Sequence, residues 1–429
     1  MNMSDVRNEP IQATAPGPSL EEVLNNENVW AAWKAVKAND GAPGVDGMDV
    51  QKTAEHLRKH GREIWEKVRQ GTYIPGAILA VEIPKANGGT RKLGIPNVQD
   101  RLIQQALHQV LSLRWEPLFS NSNSSYGFRP NRSAHDAIHR AQEIVMSGRI
   151  WVVDIDLKSF FDEVNHDILM RELRKEVTDK RILKLIGRYL TAPMVEKDGT
   201  RTKRTKGTPQ GGPLSPLLAN IYLTPLDQEL EKRQLPFTRY ADDVAIYAGS
   251  RRAAERILSD IIEWIETKLK IPVNRDKSKS GKSDDTAYLG ITVHSNGEME
   301  VEAKRVERMK AKARMLWNPW QNLTSAGLRN QWRKFATGWW NYFQLATERR
   351  KVGYTAGWIR RHIRKCFWIR WHSAVGRIKK LAALGITGRL LESAKSSRGA
   401  WRMAKTPLMH RALSNKTLTK YGFIVPWCV

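Results

Sequence analysis

Arg239-Tyr240-Ala241-Asp242-Asp243-Val244-Ala245-Ile246 reads as strand, tight turn, strand, with two adjacent carboxylates at the tip. Asp favours turns, so on its own this is common turn chemistry. A second stretch changes its meaning. On Trp151–Leu157 side chains alternate faces, which puts Asp154 and Asp156 on one side and Val153, Ile155 and Leu157 on the other. Two unpaired acids on one face of an otherwise apolar strand are costly to bury unless a cation sits beside them. A divalent metal meets that need. Carboxylates holding two Mg²⁺ ions, with Mn²⁺ as a substitute, are the arrangement that nucleotidyl transfer requires. Alternation alone does not choose between Asp154 and Asp156.

Outward from these strands the chain divides by charge. It has 429 residues, with 71 Lys and Arg against 44 Asp and Glu, a net charge of +27. From residue 301 onward there are 28 basic and 4 acidic residues, a net of +24, and the region holds ten of the 16 tryptophans. The first 300 residues carry a net charge of only +3. A nearly neutral catalytic part followed by a strongly basic, Trp-rich tail implies a polyanionic partner, most simply nucleic acid. Cys366 and Cys428 are the only cysteines, which argues against a disulfide framework and excludes a Cys-rich zinc site. No apolar stretch is long enough to span a bilayer and the first residues are polar, so a cytoplasmic protein with no membrane partner is expected.

Periodicity predicts helices over 20–36, 50–70, 100–113, 166–175, 179–190, 214–232 and 251–269. Strands joined by Asn87-Gly88-Gly89 are predicted between Ile78 and Ile95, and a further hairpin pairs Tyr288–Val293 with Glu298–Glu302 over Ser295-Asn-Gly297. Beyond that the pattern is almost wholly helical.

The chain resembles the group II intron-encoded reverse transcriptases, or maturases. The stretches that carry the resemblance are Asn39-Asp-Gly-Ala-Pro-Gly-Val-Asp-Gly47, Pro84-Lys-Ala-Asn-Gly-Gly-Thr-Arg-Lys-Leu-Gly-Ile-Pro96 and Tyr126-Gly-Phe-Arg-Pro-Asn-Arg132. To these are added Asp156-Leu-Lys-Ser-Phe-Phe-Asp162, Gly207-Thr-Pro-Gln-Gly-Gly-Pro-Leu-Ser-Pro216 and Tyr240-Ala-Asp-Asp243. Each is moderately specific; six in family order are very specific. The resemblance implies an α+β right-hand polymerase, with fingers and an antiparallel palm sheet, then an all-α thumb and a small C-terminal basic region. The implied divisions are an N-terminal extension over 1–75, fingers over 76–150 and a palm over 151–303, with part of the fingers inserted around 175–215. The thumb covers 304–376 and a DNA-binding region covers 377–429.

In such enzymes the metal-binding acid precedes a bulky aromatic residue by five positions. Asp156 and Phe161 fit; Asp154 would place Ser159 there. The resemblance thus implies Asp156 and Asp242 as principal metal ligands, with Asp243 in support. Phe161 is implied beneath the sugar of the incoming nucleotide, where a ring excludes a 2′-hydroxyl, and Phe160 is an ordinary core residue. Lys85 and Arg91 are implied to grip the dNTP triphosphate, Gln210 to touch the sugar and template, and Lys277 to lie near the leaving pyrophosphate. Tyr288, Leu289 and Gly290 match the primer-grip hairpin.

In the tail, Trp332, Phe335, Trp339 and Phe343 share one helical face. Arg360/Arg364 and Arg361/Lys365 set like charges at i, i+4, which disfavours an isolated helix and suits a phosphate backbone. The implied partners are group II intron RNA, an RNA template with a DNA primer, target DNA and dNTPs. The implied function is RNA-directed DNA polymerisation together with intron splicing and retrohoming, in the compact branch that lacks an endonuclease. A domesticated relative in DNA repair or defence, or an RNA-binding maturase with little polymerase activity, are the alternatives.

Overall fold

The computed structural model describes residues 17–84, 89–120, 123–423 and Val425. The chain forms two compact units. The first comprises Met1–Ala137 and Val153–Ser280, the second Ile138–Val152 and Gly281–Val429.

The first unit holds one small sheet and most of a second. Strands β1 (Ile78–Pro84) and β2 (Thr90–Ile95) pair antiparallel from Leu79 opposite Ile95 to Pro84 opposite Thr90. Strand β4 (Met194–Val195) runs parallel to β1, and β5 (Arg201–Thr202) antiparallel to β4. The second sheet has the order β6 (Phe237–Tyr240), β7 (Asp243–Ala248), β3 (Trp151–Asp156), β8 (Lys279–Lys282). The division between the units falls within β3 and β8.

Alternation on β3 works as the sequence leads one to expect. Val153 and Ile155 are buried, whereas Asp154 and Asp156 keep partial exposure. Helix Ser215–Lys232 is buried without a break from Leu217 to Leu223, and again at Leu226, Asp227 and Leu230. Pro216 sits in its first turn, where the missing N–H is not needed. The reading over 20–36 as one helix is corrected to two, Leu20–Val23 and Asn26–Asn39. Asn25 causes the break by accepting from Glu27 N–H as an N-cap. Helix Arg251–Trp264 gives way to a π-helical turn over Ile265–Leu269, where regular α-helix was expected throughout.

The second unit joins a three-stranded sheet, β9 (Ala287–Tyr288), β10 (Ile291–Val293) and β11 (Met299–Val301), to helices Ala303–Leu316, Ser325–Phe343 and Arg349–Arg370. Tyr288–Val293 is not one strand. Tyr288 pairs with Ile291 across a two-residue turn at Leu289 and Gly290, both with positive φ. Tyr342 donates its hydroxyl to Leu289 O at 2.9 Å and fixes that turn. The helices close over one aromatic core, in which Trp317 packs on Trp332 and Phe423, and Phe423 on Phe367. Leu408, Met409, Leu413 and Leu418 belong to the same core. Among the described residues, no helix is long and apolar enough to cross a membrane.

Trp332 is completely buried at the centre of this aromatic core. Trp332→Ala is expected to lower the stability of the second unit by about 3–5 kcal/mol, the range for truncating a large core aromatic. Denaturant unfolding followed by tryptophan fluorescence measures it.

A carboxylate cleft walled by basic side chains

Strands β6 and β7 meet at Ala241-Asp242, with Tyr240 opposite Asp243. Ala241 has φ 58°, a left-handed conformation that costs a non-glycine residue about 1–2 kcal/mol. Buried polar contacts hold it there. Arg239 is fully buried and donates from Nε to Asp227 Oδ1 at 2.7 Å, and from Nη2 to Asp227 Oδ2. Its Nη1 donates to Asn220 Oδ1 at 2.9 Å and to Ala241 O at 3.1 Å. Asn220 turns its Nδ2 to Gly127 O at 2.8 Å. A Cβ on Gly127 would stand 2.2 Å from Ala241 N, so only glycine lets the Tyr126–Arg129 loop lie against this turn.

At the end of β3, Asp156 N–H donates to Ser278 Oγ at 3.0 Å, and Asn274 N–H donates to Asp156 O at 2.9 Å. The 274–278 segment is thereby fixed beside the strand, which brings Lys277 Nζ to 3.4 Å from Asp156 Oδ2. Beyond Ser159 the chain turns into a short helix, Phe160–Glu163. Phe160 is buried, and the partly exposed Phe161 packs edge-to-face on it with centroids 5.3 Å apart. Thr208 N–H donates to Phe161 O and Gly207 N–H to Val164 O, both at 2.7 Å. Gly207 has φ 83°, and a Cβ there would meet Asp162 O at 2.8 Å and Phe161 O at 2.9 Å. This position therefore also requires glycine. Gly94 N–H on β2 donates to Gln210 O at 3.0 Å and ties the other rim to the same loop.

These segments enclose a cleft of about 790 Å³. Asp156, Asp242, Arg91, Phe161, Gln210 and Lys277 all line it. Asp243 is exposed at the start of β7, and Asp154 is not among the lining residues. Lys85 lies outside the described residues. Tyr288, Leu289 and Gly290 form the β9–β10 turn of the second unit. Burial raises the Asp242 carboxyl above the usual carboxylate range; Arg91 and Arg239 oppose this, and Asp156 adds to it. Burial pushes Asp154 up to about 6, against the pull of Lys279.

The sequence reading left out part of the cleft. Lys158, Lys203, Arg204 and Lys206 also line it, so that seven basic side chains face three acidic ones. Burial lowers Arg204 to about 10, and its Nη2 donates to Gly207 O at 2.7 Å. The run Arg201-Thr-Lys-Arg-Thr-Lys206 ahead of the Thr-Pro-Gln-Gly turn was the available signal. The expectation for Arg364 is corrected. It is buried and donates from Nε to Leu413 O at 3.0 Å, so it does not present its charge to a phosphate backbone. Arg361 is exposed, and Arg360 and Lys365 are partly so.

Asp227→Ala leaves the Arg239 guanidinium buried without its counter-charge. A loss of about 3–5 kcal/mol is expected, as for breaking a buried ion pair. Thermal melts of the variant against the parent measure it.

A family model described as "Reverse transcriptase (RNA-dependent DNA polymerase)" matches residues 83–293. Protein YkfC of Escherichia coli is 32% identical over 323 residues, covering 65% of this chain and 84% of that protein. The group II intron-encoded protein LtrA of Lactococcus lactis is 34% identical over 219 residues, covering 51% of this chain and 36% of that protein. Against the putative COX1/OXI3 intron 1 protein of Saccharomyces cerevisiae the figures are 31% over 219 residues, 49% and 25%. This chain thus spans most of YkfC but about a third or less of the two intron-encoded relatives. With its paired carboxylates in one cleft and these relatives, the chain belongs to the reverse transcriptase family, and its relatives include group II intron-encoded proteins.

Proposed function

We propose that this chain copies RNA into DNA in the cytoplasm, and that it binds its group II intron RNA to promote splicing and retrohoming. The observation that carries the polymerase reading is the convergence of Asp156 and Asp242 with Arg91, Lys277, Gln210 and Phe161 in one cleft.

Reverse transcriptases use divalent metals, and the donor set here suits Mg²⁺. Among the described residues, no three His, Cys, Asp or Glu side chains form a ready-made cage. Mg²⁺ does not need one, because it keeps several waters and takes substrate phosphates as ligands. Asp156 and Asp242 would hold two such ions, with Asp243 in support, and burial of Asp242 favours a cation beside it. Metal ions held by Asp156 and Asp242 would supply charge stabilisation for the attacking 3′ oxygen and the leaving pyrophosphate.

The chain's own residues do the rest. Arg91, Lys277 and the 203–206 cations complement a triphosphate. Phe161 presents its ring to the sugar and disfavours a 2′-hydroxyl. Gln210, whose backbone is tied to β2 through Gly94, contacts the sugar and template. Tyr288, Leu289 and Gly290 form a turn stiff enough to seat a primer strand. In the second unit Arg360, Arg361 and Lys365 supply phosphate contacts to RNA, where A-form shape adds to backbone charge, and to target DNA.

Asp242→Ala is expected to abolish Mg²⁺-dependent extension of a DNA primer on an RNA template while RNA binding persists. Near-normal extension by this variant rejects the site. Phe161→Ala is expected to raise ribonucleotide incorporation, read from single-nucleotide kinetics with dNTP and rNTP. Arg361→Ala is expected to weaken RNA binding and to reduce the slope of log K against log salt by about 1, as for one lost phosphate contact. An unchanged slope removes Arg361 from the interface.

A further inference from the structure

Phe128 is out of place by ordinary folding criteria. It is a large aromatic residue left 45% exposed, and its φ of 59° lies in the left-handed region that favours glycine. The residues around it are tightly fixed. Tyr126 N–H donates to Arg239 O at 2.9 Å, and Gly127 O accepts from the buried Asn220. Arg129 is buried, with Nη1 on Ser125 O at 2.8 Å and Phe119 O at 3.0 Å and its guanidinium on Glu116. Between Ser125 and Arg129, only Phe128 is exposed. Strain that persists because its surroundings enforce it tends to mark a working position.

The ring of Phe128 points its partner out. It meets Phe161 edge-to-face, with centroids 6.4 Å apart and planes at 72°. On another side Phe161 meets Phe160, which is buried against Tyr222. Phe161 therefore lies between a buried ring and an exposed ring held by a clamped loop. The peptide of Phe161 is held through Thr208 N–H, but that bond fixes the backbone and leaves χ1 and χ2 free. The side chain needs a stop of its own, and Phe128 is one.

We infer that Phe128 is a positioning residue for the sugar gate: its ring holds the Phe161 side chain in the orientation that excludes a 2′-hydroxyl. The inference rests on the reading of Phe161 as that gate. Discrimination by steric exclusion fails if the excluding group can swing aside, so a gate is as selective as its support is rigid. The loop that carries Phe128 also packs on the Ala241-Asp242 turn through Gly127. One rigid loop thereby sets both the carboxylate turn and the sugar-facing ring.

The test compares kcat/KM for a dNTP and its rNTP on an RNA template for the parent, Phe161→Ala, Phe128→Leu, Phe128→Tyr and the Phe161→Ala/Phe128→Leu double variant. Phe128→Leu is expected to reduce discrimination about three- to tenfold, the scale of one edge-to-face aromatic contact. The change should come from a lower KM for rNTP, with kcat for dNTP held. Phe128→Tyr, which keeps the ring, should retain parental discrimination. The double variant should match Phe161→Ala alone, because Phe128 acts through Phe161. Unchanged discrimination in Phe128→Leu overturns the inference, and so does an additive effect in the double variant. If Phe161→Ala itself leaves discrimination unchanged, it is the gate reading that fails. Phe128→Gly separates fold from function: it relieves the left-handed strain and should melt no lower than the parent, yet discriminate as poorly as Phe128→Leu.

Discussion

The buried guanidinium of Arg239 is the interaction on which the cleft depends. It sits one residue before Tyr-Ala-Asp-Asp and uses all three of its nitrogens inside the protein, on Asp227, Asn220 and Ala241 O. Replacing such a pair with well-packed apolar residues often leaves stability unchanged or higher, so net stability is not what it supplies. It supplies position. Asp227 and Asn220 ride on the buried helix Ser215–Lys232, so Arg239 carries the rigidity of that helix to a strained two-residue turn. Asn220 then passes the same reference to Gly127 through its other amide atom. Two segments distant in sequence are thus located against one helix.

That rigidity matters because the turn works against its own electrostatics. Asp242 is buried enough to lose solvation and lies in the field of Asp156, and both effects disfavour its charge. Lys277 at 3.4 Å from Asp156 and Arg91 near Asp242 offset part of this without a bond that would occupy the carboxylates fully. An acid so placed favours a cation beside it. The surrounding basic wall has the opposite electrostatic preference and favours an anion.

Much of this was legible beforehand where chemistry is local. Alternation placed Asp154 and Asp156 on one face, and Asp-rich turn chemistry placed Asp242 at a tip. Choosing Asp156 over Asp154 needed the family spacing to Phe161, and the cleft includes only the former. Charge counting misled in one respect: a net of +3 over the first 300 residues conceals a cleft with seven cations and three anions, because the average says nothing about which side chains converge. The partner of Arg239 lies 12 residues back on a helix, a pairing that no local pattern announces. The pattern at Leu289-Gly290 is that of a strand, because Leu is not a turn former and the hydrogen bond that stabilises the turn comes from Tyr342, 53 residues away.

The basic helix Arg349–Arg370 shows how a sound argument about repulsion can have two outcomes. Like charges at i, i+4 need relief, and phosphate is one source of it. The structure relieves part of the strain differently, by turning Arg364 inward. Burial lowers its pKa to about 10, with Arg360 and Arg361 adding to the effect, and Leu413 O takes its Nε–H. Arg364 therefore contributes to cohesion: it stitches the long helix to the C-terminal segment whose Leu408, Met409 and Leu418 share the same aromatic core. The outward cations of that helix are consequently borne on a surface that the C-terminal segment helps to hold rigid. Contacts from a rigid surface lose less conformational entropy on binding than contacts from a flexible basic tail, which raises the affinity obtained from the same number of phosphate contacts.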